Sequence, residues 1–325
     1  MGYSLVEGWR AAYPETTGYV IGTLLEYASR HPAPDLPVRA REMGDWETAV
    51  QAPDGGVTQG AIGSTPVRSI VFNTGMVLHG WIDLRDTEGD RYDEPAARAI
   101  EFLVGNLRHD GTWSEAVEYS SIPHAYNARV AWAMLRWADA TADDGARHAA
   151  ERHLEWVLGR QRPNGWFDDC VFKPGTQPST HGIAYTLRGL LESQALTGES
   201  RYLDAVLCTS EVLIRKLEVL GYLPANFDED WRPAARHACL TGTVQLGGVW
   251  LRLFQIGGDD RYLNAGLKAI DLAARRQERG PWRATRGALA GSFPVWGRYA
   301  PLQYPNWAAK FLADALMLRD DCLAI

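Results

Sequence analysis

The chain has 325 residues, is 46% hydrophobic and carries a net charge of −7. That length and content suffice for a large buried core, and the charge balance, with no basic run, argues against nucleic acid as the main partner. An acidic sugar held by a few local arginines remains compatible with it.

The N-terminus, Met1-Gly2-Tyr3-Ser4-Leu5, lacks the basic-then-apolar pattern of a signal peptide, and no apolar run is long enough to span a bilayer. The expectation is a soluble cytoplasmic protein without a membrane span. Cys170, Cys208, Cys239 and Cys322 lie far apart and form no CxxC pair, so neither a disulfide framework nor a zinc finger is indicated.

Along the chain a glycine recurs at Gly8, Gly55, Gly111, Gly165, Gly221 and Gly291, with spacings of 47, 56, 54, 56 and 70 residues. Two copies share the lead-ins Gln51-Ala52-Pro53-Asp54-Gly55 and Gln161-Arg162-Pro163-Asn164-Gly165. Proline followed by Asp-Gly or Asn-Gly stops a helix and makes a turn. After each glycine a helical pattern begins: 14–30, 69–84, 122–139, 178–197, 237–256 and 303–319. These segments are rich in Ala, Gly and Leu and poor in charge, as buried helices are. Between them lie 36–51, 93–108, 145–160, 200–217 and 261–277, more polar and with one apolar stripe. Leu263, Leu267, Ile270 and Ala274 mark that stripe in the last.

A second repeat marks the step from inner to outer helix: Gly89-Asp90-Arg91-Tyr92, Gly198-Glu199-Ser200-Arg201-Tyr202 and Gly258-Asp259-Asp260-Arg261-Tyr262. Glycine suits a helix C-terminus, and the acidic or Ser residues suit the next N-cap. Two repeats in phase predict an all-α fold. It is a single (α/α)6 toroid over residues 1–325, built from six repeats of roughly 55 residues. The N-terminal segment 3–12 is expected to be a short outer partner. Small hairpins are expected at Val57–Ile62, near 166–172 and at 222–227.

The chain resembles the α/α-toroid superfamily, whose members include glycoside hydrolases, sugar epimerases, uronate lyases, lanthipeptide cyclases and prenyltransferase or terpene-cyclase repeats. Tyr13-Pro14-Glu15-Thr16-Thr17-Gly18-Tyr19, Thr180-His181-Gly182-Ile183-Ala184-Tyr185-Thr186 and Tyr304-Pro305-Asn306-Trp307-Ala308-Ala309-Lys310 look like motifs of toroid proteins from bacterial exopolysaccharide gene clusters. The resemblance covers nearly the whole chain and implies a carbohydrate-active enzyme. One fold hosts many chemistries, so the reaction has to be sought in the residues.

In such a ring the inner-helix N-termini face one open end. Polar residues there are the site candidates: Glu15, His124, Tyr126, Asn127, Arg129, His181, Tyr185, Gln245, Tyr304, Asn306 and Trp307. The loops add Glu115, Asp168, Asp169, Asp230, Trp231, Trp296 and Tyr299. Glu15 can also serve as a helix-start acid, and His181 as a core histidine. Helix N-termini favour anions, so a uronate carboxylate would be accepted, with Arg129 or Arg188 nearby.

Three chemistries fit these residue types. Two-carboxylate glycoside hydrolysis would pair Glu15 or Glu115 with Asp168, Asp169, Asp228 or Asp230. Proton abstraction from a uronic acid, by a lyase or C5-epimerase, would draw on His124, Tyr126, Asn127, His181 and Tyr304, the residue types of toroid uronate lyases. A zinc site at Asp168-x-Cys170 with His181 and Cys239 resembles the ligands of protein prenyltransferases, but the other signatures of that group are missing. Hydrolysis leads, and no metal or cofactor is expected. An isoprenoid-type enzyme and a non-catalytic sugar-binding protein are the readings outside carbohydrate catalysis.

Overall fold

The computed structural model describes residues 2–324. Eleven α-helices alternate between two layers. In chain order they are α1 (Pro14–Arg30), α2 (Asp35–Val50), α3 (Val71–Glu88), α4 (Asp93–Gly105), α5 (Ala128–Thr141), α6 (Asp144–Leu158), α7 (Thr180–Thr197), α8 (Ser200–Leu220), α9 (Leu240–Gly257), α10 (Asp260–Ala274) and α11 (Asn306–Leu323). The odd-numbered helices pack side by side in sequence, and α11 closes onto α1. The even-numbered helices form an outer layer, each lodged beside its inner neighbours. This is the toroid anticipated from the repeats.

The local signals act as the repeats imply. Ser179, Asp143 and Cys239 accept bonds from the backbone N–H three residues on and cap α7, α6 and α9. Gly198, Gly221 and Gly258 end α7, α8 and α9 in the left-handed conformation. The inner helices approach closely because glycines face neighbouring backbone. A Cβ on Gly189 would lie 2.3 Å from the Ala128 carbonyl carbon, so α7 and α5 could not meet as they do.

Two expectations change. Residues 3–12 are not a helical partner: β1 (Tyr3–Ser4) and β2 (Gly8–Trp9) form a hairpin. Gly8, with φ of 79°, permits its turn. Among the described residues the outer layer therefore has five helices, and none fills the position between α11 and α1. Of the three loop hairpins, one forms as a ladder, between β3 (Val57–Thr58) and β4 (Ser69–Ile70). The segments near 166–172 and 222–227 make isolated bridges such as Gln161 with Phe167 and Pro224 with Ala238. A further short ladder joins β5 (Ala238–Cys239) to β6 (Ser292–Phe293), and β7 (Gln303–Tyr304) pairs with β1. The last pairing ties the two ends of the chain together at the rim. Below it, Asn306 donates to Thr16 Oγ1 at 3.0 Å and Thr23 donates to Asp314 Oδ1 at 2.6 Å, fastening α11 to α1.

Candidate active site

The N-terminal ends of the inner helices share one side of the ring, and a cavity of about 450 Å3 opens there. Around it, α1 contributes Glu15 with Tyr13 just ahead, and α3 contributes Phe72 and Asn73. The turn before α5 contributes Tyr126, α7 contributes His181 and Tyr185, and α11 contributes Trp307. Three loops complete the wall with Tyr119, with Phe172 and Lys173, and with Tyr299. Helical spacing explains two of the groupings. Glu15 and Tyr19, like His181 and Tyr185, stand four residues apart and so share a face. The His181 and Tyr185 rings lie 4.3 Å apart.

Among the described residues, Glu15 is the only carboxylate lining this cavity. It keeps some surface open to the cavity but is surrounded by protein. Burial raises its pKa to about 7; the phenols of Tyr13 and Tyr19 and the charge of Arg129 offset part of that rise. Glu15 is therefore half protonated near neutral pH and able to give up a proton. Burial also pushes the phenols of Tyr126, Tyr185 and Tyr299 above the usual tyrosine range, so each remains a neutral hydrogen-bonding group.

His181 is of the opposite character. Burial lowers its pKa to about 4, so the ring is neutral. Its Nδ1 lies 2.5 Å from Gln245 Oε1. A carbonyl oxygen only accepts, so Nδ1 carries the proton and Nε2 keeps a lone pair. Gln245 thus orients His181. Trp307 Nε1 donates to the Tyr299 hydroxyl at 2.9 Å, holding both aromatic walls in place.

The structure brings Glu15, His181, Tyr126, Tyr185, Tyr299 and Trp307 together. It does not bring the loop carboxylates to the cavity. The Asn164-Gly165 turn folds the chain back on the end of α6, with the Asp168 N–H donating to Arg160 O at 2.9 Å. Asp168 then pairs with Arg162 at 2.8 Å and Asp169 faces Arg160 at 3.7 Å. Asp230 pairs with Arg232 at 2.8 Å, and Glu115 is exposed on a short 3-10 turn.

The remaining candidates support or lie apart. His124 is buried; its Nε2 donates to the Tyr119 carbonyl at 2.6 Å and its ring stacks on Tyr126, so it positions Tyr126 from behind. Asn127 donates to both oxygens of Glu118 at 3.0 Å, and burial raises that enclosed carboxyl to about 8. Arg129 does not line this cavity; it opens to the other side of the lumen. Trp231 is buried against Trp166 and Phe227 and donates to Asn164 O at 2.9 Å. Trp296 is 71% exposed on the loop after β6. Tyr304 sits in β7 beside Glu278, and Asn306 is occupied with Thr16.

Lys173, Tyr119 and Tyr13 were not singled out from the sequence. Tyr13 carried a usable signal, because it directly precedes the Pro14-Glu15 helix start. Lys173 and Tyr119 lie in loops whose path no local pattern reveals. Among the described residues no three His, Cys, Asp or Glu side chains gather as metal ligands. Cys170 contacts Thr186 Oγ1 at 3.4 Å, and Cys239 accepts from the Gly242 N–H at 3.3 Å.

No family model matches the sequence, and no curated protein matches it either. Solved structures do. An unsaturated glucuronyl hydrolase specific for heparin aligns over 100% of this chain and 91% of its own, with a TM-score of 0.76 and 13% identity. Cellobiose 2-epimerase from Spirochaeta thermophila aligns over 100% and 90%, also at 0.76 and 13%. A polysaccharide lyase aligns over 97% and 92%, at 0.68 and 14%. The chain is an α/α-toroid protein. At these identities the likeness concerns the ring itself, and what this toroid does rests on its own cavity. Among its described residues no helix is long and apolar enough to cross a membrane.

Proposed function

We propose that this toroid is a carbohydrate-active hydrolase that works on an acidic, uronate-containing saccharide with Glu15 as its proton donor. One observation carries the reading: a single carboxyl lines the cavity, and burial holds its pKa near 7. Two-carboxylate hydrolysis needs a second acid across the sugar from the first. Addition of water to an unsaturated uronide needs only one acid–base group. In that reaction Glu15 gives its proton to C4 of the double bond, and positive charge develops on C5 and the ring oxygen. Water adds at C5 and returns a proton to Glu15. The resulting hemiketal opens to a ketone at C5, and the hemiacetal this leaves at C1 collapses to an aldehyde and releases the attached sugar. Tyr126, Tyr185 and Tyr299 would bind hydroxyls and ring faces, and Lys173 at the rim would meet the carboxylate. Two of the similar structures act on saccharides by name and a third is named for unsaturated glucuronyl hydrolysis, which supports this choice of substrate.

A second reading rests on His181, whose Nε2 lone pair suits abstraction of a sugar proton in elimination or epimerisation. The test is to incubate the purified protein with saturated and unsaturated uronate oligosaccharides, following double-bond absorbance and reducing ends together. Hydration consumes the chromophore of the unsaturated substrate. New chromophore from the saturated substrate would transfer the assignment to His181. Inertness towards every saccharide would refute the carbohydrate reading.

A further inference from the structure

The lumen does not end at the tyrosines. Beyond Phe311 it opens again towards the other end of the ring, through cavities of about 260 and 520 Å3 that share Arg129, Trp132 and Lys310. The charge arrangement there is unusual. Three guanidiniums surround the Trp132 indole, those of Arg129, Arg188 and Arg136, at 5.4, 5.8 and 5.9 Å from its centroid. Arg136 pairs with Asp83 at 2.6 Å, and Lys310 pairs with Asp314. Arg188 must share Glu192 with Arg252. Arg129 forms no salt bridge with any described residue. It is 6% exposed, and its one hydrogen-bonding contact is from Nε to the Met76 sulfur at 3.2 Å. Of the three guanidiniums around Trp132, that of Arg129 is thus the one without a carboxylate partner among the described residues. Further acid lies towards the mouths, where Arg30 bridges Glu26 and Asp321 and where the exposed Asp86 lines the larger cavity.

A buried guanidinium without a partner is costly, and its planar fork matches the two oxygens of a carboxylate or phosphate. The negative ends of the inner helices oppose an anion here only weakly. Helix-end effects fade within one turn, and Arg188 and Lys310 sit well inside α7 and α11.

We propose that this inner chamber is a second binding site, taking a small oxyanion, a carboxylate or a phosphate group, between Arg129, Arg188 and Lys310 against the face of Trp132. The site is a separate cavity from that of Glu15, although the charge of Arg129 reaches the Glu15 carboxyl. A sugar acid and a phosphate share the recognition chemistry, and the two sources are separated by measurement.

The experiment is calorimetric titration of the full-length protein with inorganic phosphate and, separately, with free glucuronate. Saturable binding of one molecule is expected, and the tighter of the two anions identifies the source. R129Q should weaken binding at least about tenfold, as expected for loss of a charge-assisted partner. R188Q lies at a partly exposed side chain and carries the same test should R129Q fail to fold. K173A removes the cation proposed to meet a uronate at the rim of the tyrosine-lined cavity, and the affinity for phosphate should be unchanged by it. Absence of saturable binding to the wild-type protein would overturn the proposal. So would loss of binding in K173A with R188Q unaffected, because the anion would then belong to the other cavity.

Discussion

Replacing Glu15 with glutamine keeps the shape of the side chain and removes its proton. The carboxyl has a pKa of about 7 in the folded chain against 4.5 for a free glutamate side chain. A folded-state value above the unfolded one means that the native state binds the extra proton. The stability this confers is present below about pH 4.5 and is lost as pH rises through about 7. The shift of 2.5 units corresponds to about 3 kcal/mol. Glutamine carries no charge to bury, so E15Q should gain on the wild type by about 3 kcal/mol between about pH 4 and about pH 8.5. Activity should move the other way. Loss of a general acid costs roughly 10²–10⁴-fold in turnover. Wild-type kcat/KM should fall with unit slope above about pH 7, as Glu15 loses its proton. Urea unfolding at both pH values, together with the pH profile of kcat/KM, reads both effects. A stability difference that does not change with pH, or an E15Q enzyme of near wild-type turnover, would refute the reasoning.

Other outcomes follow from the same geometry. Q245L should release His181 from its orientation and lower kcat, while Tm shifts by only a few degrees, measured by steady-state kinetics and thermal melts. W231A should lower stability by about 3–5 kcal/mol, as truncation of a buried Trp does, and leave kcat unchanged in the folded fraction. Glu47 is fully buried, neither carboxylate oxygen has a partner, and burial raises its pKa well above the usual range. E47Q should therefore match the wild type in acid and exceed its stability increasingly as pH rises past about 4.5, in urea melts across pH. G189A should fail to yield a stable ring, seen as loss of cooperative unfolding, because its methyl would meet the Ala128 carbonyl carbon at 2.3 Å.

Much of the architecture was legible because its signals are local. Pro53-Asp54-Gly55 and Pro163-Asn164-Gly165 stop helices by backbone chemistry alone, and Gly198 and Gly258 terminate α7 and α9 where the second repeat placed them. The predicted 14–30 is α1 to the residue. Segment 3–12 misled because its helical partner role was inferred from the symmetry of the ring, whereas Gly8 and the pairing with β7 depend on the far end of the chain. At the site, Glu15 and His181 were readable because a first-turn position on an inner helix faces the open end, and Tyr185 because it stands one turn further along the face of His181. Asp168, Asp169 and Asp230 were not, because a loop carboxylate is placed by whichever arginine it meets. Arg160, Arg162 and Arg232 hold these three outside the cavity. Arg129 shows the same limit: it stands near the start of α5, but its guanidinium lies over the Tyr185 and Phe311 rings and opens into the second chamber rather than the first.

The proposed chemistry turns on one proton. Difference infrared titration of the wild type against E15Q isolates the Glu15 carboxyl stretch. A midpoint near pH 7 is the predicted result. A midpoint in the ordinary carboxylate range would mean an anionic Glu15 at neutral pH, and the proton donor would have to be sought elsewhere.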